Sequence, residues 1–189
     1  MKPHFLELPV AQEQHTDLVA RCQEGDAVSF KKLYEQYARA MFNTSLRIVN
    51  DRTEAEDILQ EAFIEAFHNI KTFENRSSFG AWIKKIVINK SINQLKKKKI
   101  NIVEIDAGQQ YETDAEPVHD ESETRWQVQL ILDSIKKLSP GYRTVVSLYL
   151  LEGYDHEEIA QIMGVAESTT RTQYIRGKQK LLQILKGDQ

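Results

Sequence analysis

Residues 155–168 read Asp155-His156-Glu157-Glu158-Ile159-Ala160-Gln161-Ile162-Met163-Gly164-Val165-Ala166-Glu167-Ser168. Apolar residues recur at helical spacing in the first nine, and the Asp155 carboxylate can cap this helix by accepting a hydrogen bond from a free N–H. Gly164 supplies a sharp turn that a residue with a Cβ would strain. Val165 then packs inward, and a second helix opens at residues 166–168. The stretch predicts a helix-turn-helix corner, in which small Ala160 lets the two helices cross closely.

The second helix of this corner is expected to place its N-terminal side chains in a major groove of DNA. Arginine pairs with guanine and glutamine with adenine, whereas serine and threonine mostly hold phosphates. The predicted contacts are Ser168, Thr169, Arg171, Thr172, Gln173, Arg176 and Lys178. The residues expected to face the core are Ile175, Leu181, Leu182 and Leu185. No acidic residue occurs from Ser168 to Lys186, which favours DNA binding over a basic helix that docks on an acidic protein.

The helices on either side of the chain's midpoint predict an all-α fold of two small domains. The C-terminal domain is placed at residues 123–186, where one helix ends at Leu138-Ser139-Pro140 and another runs from Gly141 towards Gly153. The first of these helices carries Trp126, Leu130, Ile131 and Ile135 at helical spacing.

The N-terminal domain is placed at residues 10–99 and is expected to hold four helices. Asp17 and Asp26 can cap the first two, Thr53 and Glu56 fit a capping box for the third, and Ser77 or Ser78 can cap the fourth. The apolar stripe of the second helix comprises Phe30, Leu33, Tyr34, Tyr37, Met41 and Phe42. The third is expected to bury Ile58, Leu59, Ala62, Phe63, Ala66 and Phe67. The fourth is expected to bury Phe79, Trp82, Ile83, Ile86, Val87 and Leu95.

Charge is sorted along the chain, although the formal net charge is only −3. Ionised side chains are all basic from Arg76 to Lys99, all acidic from residue 100 to 124, and all basic again from Arg171 to Lys186. Residues 100–122 also lack a sustained period and contain Gly108 and Pro117, so they are expected to form a flexible acidic linker. Salt screens charges over roughly 8 Å, so separated patches can each keep their own field. Two basic patches around an acidic spacer suit a polyanion that is held at two points.

Several classes of function find no support in the sequence. No window is long and apolar enough for a membrane span, and the N-terminus lacks an export signal, so we expect a cytoplasmic protein without membrane insertion. Cys22 is a single cysteine and is expected to be a small buried hydrophobe. The five histidines are scattered without metal-ligand spacing, and no phosphate-binding glycine loop occurs. We therefore predict no catalytic residue, no metal and no cofactor.

Three segments near the corner resemble region 4 of bacterial sigma factors of the extracytoplasmic function (ECF) class, within the sigma-70 family. They are Leu138-Ser139-Pro140, the run Glu152-Gly153-Tyr154-Asp155-His156-Glu157-Glu158-Ile159-Ala160, and Gly164-Val165-Ala166-Glu167-Ser168-Thr169. The N-terminal domain resembles region 2 of the same class in Asp26-Ala27-Val28-Ser29-Phe30, in Leu33-Tyr34 and in Ala55-Glu56-Asp57-Ile58-Leu59-Gln60-Glu61-Ala62-Phe63. Phe73, Ser77-Ser78-Phe79, Trp82-Ile83, Ile86 and Asn89 resemble its −10-reading segment.

The resemblance implies an alternative sigma factor that binds core RNA polymerase, reads the −35 element with the helix-turn-helix and melts the −10 element. It implies that Asp57, Gln60 and Glu61, which share one helix face, bind the clamp helices of the β′ subunit. The implied −10 contacts are Phe73, Arg76, Ser77, Lys84, Lys85, Asn89, Lys90, Asn93 and Lys97, with Phe73 or Trp82 to stack a base and core packing favoured for Trp82. Promoter DNA, the β flap and an anti-sigma factor are further implied partners. Asn93, Thr170, Gln173 and Ile175 depart from residues frequent in the class, which leaves the promoter sequence open.

Two other readings stay open from the residues alone. One is a helix-turn-helix regulator that binds operators without polymerase, and the other is an adaptor whose basic helices dock on an acidic protein. The Asp57/Gln60/Glu61 face and the second basic patch favour the sigma factor, because an ordinary repressor needs neither.

Overall fold

The computed structural model describes residues 17–98 and 123–187, and every regular element in these two ranges is helical. In chain order these are α1 (residues 17–23), α2 (Ala27–Val49), α3 (Arg52–His68), a 3₁₀ turn (Ile70–Thr72), α4 (Phe79–Lys97), α5 (Glu123–Lys136), α6 (Pro140–Leu150), α7 (His156–Met163) and α8 (Glu167–Gly187). The all-α prediction is confirmed. Within the described ranges no helix combines the length and the apolar character that a membrane span requires. The predicted acidic linker at 100–122 lies outside the described residues.

The described residues form two compact units. The first comprises residues 17–45 and 53–90, and the second comprises residues 46–52, 91–98 and 123–187. Helices α2 and α4 therefore each contribute residues to both units.

Aromatic side chains fill much of the space between α2 and α3 in the first unit. The rings of Phe30 and Phe67 lie 4.6 Å apart and those of Tyr34 and Phe63 lie 4.9 Å apart, measured between centroids. Such pairs stabilise a core by about 0.5–1.5 kcal/mol beyond the burial of their area. Leu33 and Met41 of α2 are buried beside them, as the apolar stripe predicted. Cys22 of α1 is also buried, and this burial, together with the charge of Asp26, raises its pKa to about 11.

Short side chains fix where α2 and α4 begin, as predicted. The Asp26 carboxylate accepts hydrogen bonds from the Val28 N–H (3.0 Å) and the Ser29 hydroxyl (2.6 Å), and the Ser29 bond is the main reason that the pKa of Asp26 is lowered. The Ser78 hydroxyl accepts from the Ala81 N–H at 3.2 Å. Both groups satisfy backbone donors that a first helical turn leaves without partners.

The predicted capping box at Thr53 and Glu56 is wrong in register. Helix α2 ends in a left-handed residue, Asn50 (φ 58°), and α3 already begins at Arg52. The cap position therefore falls on Asp51, and Thr53 lies inside the first turn. The tight turn between the two helices, which the local motif does not reveal, sets this register.

The core of the second unit lies between α5, α6 and α8. Its buried residues are Ile135, Leu138, Tyr142, Val146 and Leu181, with Tyr174, Ile184 and Leu185 packed against them. Pro140 occupies the start of α6, where its missing N–H costs no hydrogen bond. The guanidinium of buried Arg143 donates to the carbonyl oxygens of Leu138 (2.8 Å) and Ile48 (3.2 Å), so this charge is held by backbone dipoles.

Helix α8 packs with a different phase from the one predicted. Its buried residues are Thr170, Gln173, Gly177 and Leu181, whereas Ile175 and Leu182 are about half exposed, at 56% and 48%. Gly177 explains this phase, because a Cβ there would lie 2.9 Å from Val146 Cγ2 and 3.2 Å from Tyr142 Cβ. The glycine lets α8 approach α6 closely, and this turns the side chains of Ile175 and Leu182 outwards.

Gly177→Ala is expected to destabilise the protein. Overpacking of this kind costs about 1–3 kcal/mol and outweighs the gain of about 1 kcal/mol that alanine brings in helix propensity. Gly187→Ala is the matched control, because no atom lies within 4 Å of the Cβ that it would add. Denaturant melts should show a net loss of about 1 kcal/mol for Gly177→Ala and none for Gly187→Ala. A Gly177→Ala protein as stable as the wild type would contradict the close approach.

Candidate DNA and polymerase interfaces

The corner between α7 and α8 has the geometry that its sequence predicts. The Asp155 carboxylate accepts from the Glu158 N–H and the Glu158 carboxylate accepts from the Asp155 N–H, each at 2.9 Å, so the capping box is complete. Gly164 adopts the left-handed conformation (φ 71°), and its N–H donates to the Ala160 carbonyl at 2.9 Å. The Thr170 hydroxyl lies 3.1 Å from the His156 carbonyl oxygen and 2.8 Å from that of Glu167. These contacts fix the direction in which α8 leaves the turn.

The exposed side of α8 carries most of the predicted DNA contacts. Ser168, Arg171, Thr172, Arg176 and Lys178 are exposed, and Thr169 is half-buried. Lys180 and Lys186 continue the basic surface towards the C-terminus. Together these side chains form what we call the α8 surface: a basic and hydroxyl-bearing face with Glu167 as its acidic residue.

Two residues of the α8 surface need comment. The Arg171 Nε lies 3.0 Å from a carboxylate oxygen of Glu167, one helical turn away, and the side chains remain 63% and 44% exposed. An exposed pair of this kind contributes little to stability and leaves the guanidinium able to exchange partners. Gln173, in contrast, is 4% exposed, so the prediction that it meets a base edge from the surface is revised. The close packing of α8 at Gly177 turns Gln173 inwards.

Three rings stack behind the corner, an arrangement that no sequence motif signalled. His156 lies 4.6 Å from Tyr149 of α6 and 5.5 Å from Tyr174 of α8, and the two tyrosine rings lie 4.5 Å apart. Partial burial, with a contribution from the Arg171 charge, lowers the pKa of His156 below 6.5. The neutral imidazole therefore belongs to the folded state, and the stack holds the start of α7 against α8.

A polar stripe runs along α4 at intervals of four residues. Lys85, Asn89, Asn93 and Lys97 are exposed, and side chains at this spacing are neighbours on a helix surface. Lys96 and Lys98 are exposed at the same end. This α4 stripe brings amide and ammonium donors together, which is suitable for binding the backbone and base edges of a nucleic-acid strand.

The turn before α4 presents polar residues around a buried ring. Residues 74–78 are exposed, including the predicted contacts Arg76 and Ser77, and Arg76 Nε lies 2.6 Å from the exposed Glu74 carboxylate. Phe73 is 5% exposed and packs against Phe79 and Trp82, at centroid distances of 6.1 Å and 5.0 Å. The prediction that Phe73 stacks a base is therefore revised, because its ring belongs to the core. Half-buried Trp82 packs with it, in agreement with the core interpretation of this residue.

The turn is anchored from α1 by a contact that sequence reasoning missed. The Gln23 side-chain amide donates to the carbonyl oxygens of Ile70 and Phe73, each at 3.0 Å. A single side chain thus satisfies two carbonyl groups at the start of the turn. This bridge between distant segments has no signature in the local sequence.

An acidic face covers the outer side of α3. Asp57, Gln60 and Glu61 are exposed while Ile58, Leu59 and Ala62 are buried, so the predicted orientation of this helix is correct. Ile64, which is 63% exposed, and Glu65 extend the same face by one turn. This α3 face combines carboxylates with an exposed apolar side chain, a composition that suits a basic protein surface better than DNA.

Lys90 does not lie on the open stripe with the other predicted DNA contacts. Its ammonium is 2.9 Å from the Glu65 carboxylate and 3.4 Å from that of Glu61, and its side chain is 24% exposed. The predicted strand-binding lysine and the predicted polymerase-binding glutamate are therefore partners in one cross-helix ion pair. Lys84, also predicted to contact DNA, is half-buried.

Two family matches cover more than half of the chain. Residues 33–100 match sigma-70 region 2, and residues 129–181 match sigma-70 region 4. The first match contains the α3 face and the α4 stripe, and the second contains the corner and most of α8.

Curated relatives match over nearly their whole length. The RNA polymerase sigma-H factor of Pseudomonas aeruginosa is 29% identical over 181 residues, which cover 91% of this chain and 94% of that protein. The ECF RNA polymerase sigma-E factor of Haemophilus influenzae is 29% identical, with 89% and 95% covered. The ECF sigma factor SigW of Bacillus subtilis is 28% identical, also with 89% and 95% covered.

Solved structures share the fold. The sigma factor RpoE in complex with the anti-sigma factor NepR from Bartonella quintana aligns with a TM-score of 0.60 at 23% identity, covering 85% of this chain and 98% of that one. CnrH in complex with the cytosolic domain of CnrY aligns with a TM-score of 0.56 at 20% identity, covering 93% and 99%.

The lowered pKa of His156 predicts a pH dependence of stability. The unfolded chain binds this proton more tightly than the folded one, so the contribution of His156 is complete above about pH 6.5 and is lost as the pH falls through the lowered folded-state pKa. His156→Phe keeps a ring in the stack and removes the titration. Denaturant melts from about pH 7 to about pH 5 should show a shallower loss of stability for the variant than for the wild type. Equal slopes in the two proteins would contradict the prediction.

Proposed function

The chain belongs to the sigma-70 family, in its extracytoplasmic function class, and from this we propose how its surfaces divide the work of an alternative sigma factor. Such a factor directs promoter-specific initiation of transcription together with core RNA polymerase. We assign promoter melting and polymerase binding to residues 10–99 and duplex reading to residues 123–186, with residues 100–122 as the linker. The observation that carries the proposal is the presence of three distinct surfaces: the α8 surface, the α4 stripe and the α3 face.

The α8 surface reads the −35 element as duplex DNA. Its corner is rigid, because the capping box, Gly164 and the Thr170 contact fix the entry of α8. Arg171 and Arg176 are placed to reach base edges in the major groove, while Ser168, Thr172 and Lys178 hold phosphates. Arg171 exchanges Glu167 for a base when DNA binds, and Glu167 then remains beside it to orient the guanidinium.

The α4 stripe and the polar turn before it bind the −10 element as single-stranded DNA. Extruding a base from a duplex costs a few kcal/mol, and this cost is offset when a protein binds the parted strand better than the duplex. Asn89 and Asn93 offer hydrogen bonds to base edges, and Lys85 and Lys97 neutralise phosphates on either side of them. Opening in this scheme is a shift of equilibrium, so it requires neither catalysis nor a cofactor.

The α3 face binds core polymerase. Asp57, Gln60 and Glu61 meet basic side chains of the β′ clamp helices, and exposed Ile64 adds an apolar contact at the edge of that surface. The second unit is assigned to the β flap, and an anti-sigma factor that masks these surfaces is a further proposed partner. Since core polymerase works in the cytoplasm, we place the protein there.

Run-off transcription with purified core polymerase and genomic promoter fragments tests the function as a whole. Promoter-specific transcripts are expected with the wild type. Asp57→Ala combined with Glu61→Ala should lower polymerase binding at least tenfold in a pull-down without changing the melting temperature, because close charge pairs at interfaces couple by more than about 1.5 kcal/mol. Binding to operator fragments that is unaffected by polymerase, with no transcripts, would instead identify a simple regulator. Undiminished polymerase binding by the double variant would remove the α3 face from the proposal.

Arg171→Ala tests the α8 surface. Loss of a base contact costs about 1–3 kcal/mol, so the preference of the protein for promoter duplex over scrambled duplex should fall about tenfold while polymerase binding stays intact. Lys186→Ala is the matched control, because it removes the same charge from the other end of α8. Its effect should be equal on both duplexes. The assignment fails if Arg171→Ala weakens both duplexes equally or weakens polymerase binding as well.

A further inference from the structure

The ion pair between α3 and α4 links two surfaces to which we assign different ligands. Lys90 extends from α4, the helix of the strand-binding stripe, to Glu61 and Glu65 of α3, the helix of the polymerase-binding face. Resting on the function proposed above, we propose that Glu65 is a positioning residue that holds Lys90 away from DNA in the unbound chain. Binding of polymerase at Glu61 then releases Lys90 to contact a phosphate of the parted strand.

The geometry favours a held lysine over a freely moving one. Glu61 and Glu65 are one helical turn apart, and the Lys90 ammonium lies between their carboxylates, closer to Glu65. The lysine side chain is 24% exposed, whereas those of Glu61 and Glu65 are 66% and 47% exposed. Partial burial alone would lower the pKa of Lys90, but the hydrogen bonds and charges of Glu65 and Glu61 outweigh it and raise the pKa. Lys90 therefore stays charged, and in the unbound chain that charge is directed towards carboxylates.

Each ligand competes with this internal pair. A cationic side chain of polymerase that binds Glu61 takes one of the two partners of Lys90. A phosphate that binds Lys90 takes the cation from both glutamates and leaves Glu61 without its internal partner. Whichever ligand binds first breaks contacts that the second would otherwise have to break.

The consequence is positive coupling between polymerase and DNA. Coupling between two binding sites is reciprocal, so polymerase raises the affinity of the α4 stripe for a strand by the same factor as the strand raises the affinity for polymerase. An ion pair of this exposure limits that factor to about two- to fivefold. Neutralising the carboxylates of α3 acts in the same direction, since they repel a phosphate at Lys90. The unbound chain is thus biased against single strands that it binds once polymerase is in place.

Glu65→Gln is the variant that tests this role, since it removes the nearer carboxylate and keeps the shape of the side chain. Glu65 lies outside the residues assigned to polymerase, so polymerase binding should be retained. Glu35→Gln is the matched control, because Glu35 is an exposed carboxylate paired with Lys31 at 3.7 Å on α2, away from the stripe. Both variants change the net charge equally.

Fluorescence anisotropy with labelled oligothymidylate measures the affinity of the full chain for single strands. Glu65→Gln is expected to raise this affinity about two- to fivefold over the wild type, and Glu35→Gln is expected to change it much less. In a Lys90→Gln background the effect of Glu65→Gln should disappear, since the lysine that it releases is absent. In the holoenzyme the wild type and Glu65→Gln should bind the oligonucleotide equally.

Three outcomes would overturn the inference. These are an equal gain for Glu65→Gln and Glu35→Gln, a gain that persists in the Lys90→Gln background, and no gain at all in a variant with unchanged thermal stability. In each of these cases transcription by the wild-type holoenzyme would still support the proposed function. Failure of the wild type to bind core polymerase would count against the proposed function itself and not only against this coupling.

Discussion

The close approach of α8 to α6 at Gly177 determines which side chains of the DNA-reading helix reach solvent. With no Cβ at this position the helix rests on Val146 and Tyr142, and its rotation is set. Thr170 and Gln173 then face inwards, and Arg171, Thr172 and Arg176 face outwards. Protein interiors are packed too densely for a helix to rotate by a fraction of a turn at little cost. The chemistry of the α8 surface therefore depends on a contact made by a residue that has no side chain.

The first unit solves a related problem with bulk instead of absence. Aromatic rings between α2 and α3 and around Phe73 hold three helices and a turn in fixed positions, so that polar residues on their outer sides keep their spacing. The result is a stripe of lysines and asparagines on α4 and a carboxylate face on α3. A single duplex-binding surface would not need both of these. Their presence together is what makes a factor that bridges polymerase and a parted strand physically reasonable.

The two DNA-binding surfaces differ in chemistry as their proposed tasks differ. The α8 surface offers guanidinium and hydroxyl groups from a helix that fits the major groove of an intact duplex. The α4 stripe offers amides and ammonium groups beside a polar turn, a combination that suits a flexible strand with exposed bases. The ion pair of Lys90 adds a dependence of the second surface on the state of the α3 face. Division of one promoter between two surfaces also explains how a chain with a net negative charge can bind DNA, because the cations are concentrated where they are used.

Local sequence was sufficient for most helix positions, because they depend on apolar period and on capping residues that act within one turn. Asp26, Ser78, Asp155 and Gly164 each occupy the role that their own neighbours predict. The family resemblance also rested on contiguous motifs, which is why it could be seen without a structure.

What tertiary structure alone decided were contacts between residues far apart in the chain. It turned Gln173 and Phe73 into the core, left Ile175 and Leu182 exposed, stacked His156 between two tyrosines and paired Lys90 with α3. Each of these outcomes depends on how closely two helices approach and in what rotation. A difference of one side chain at the contact changes both, and the periodicity of a single helix carries no information about the residue that will face it.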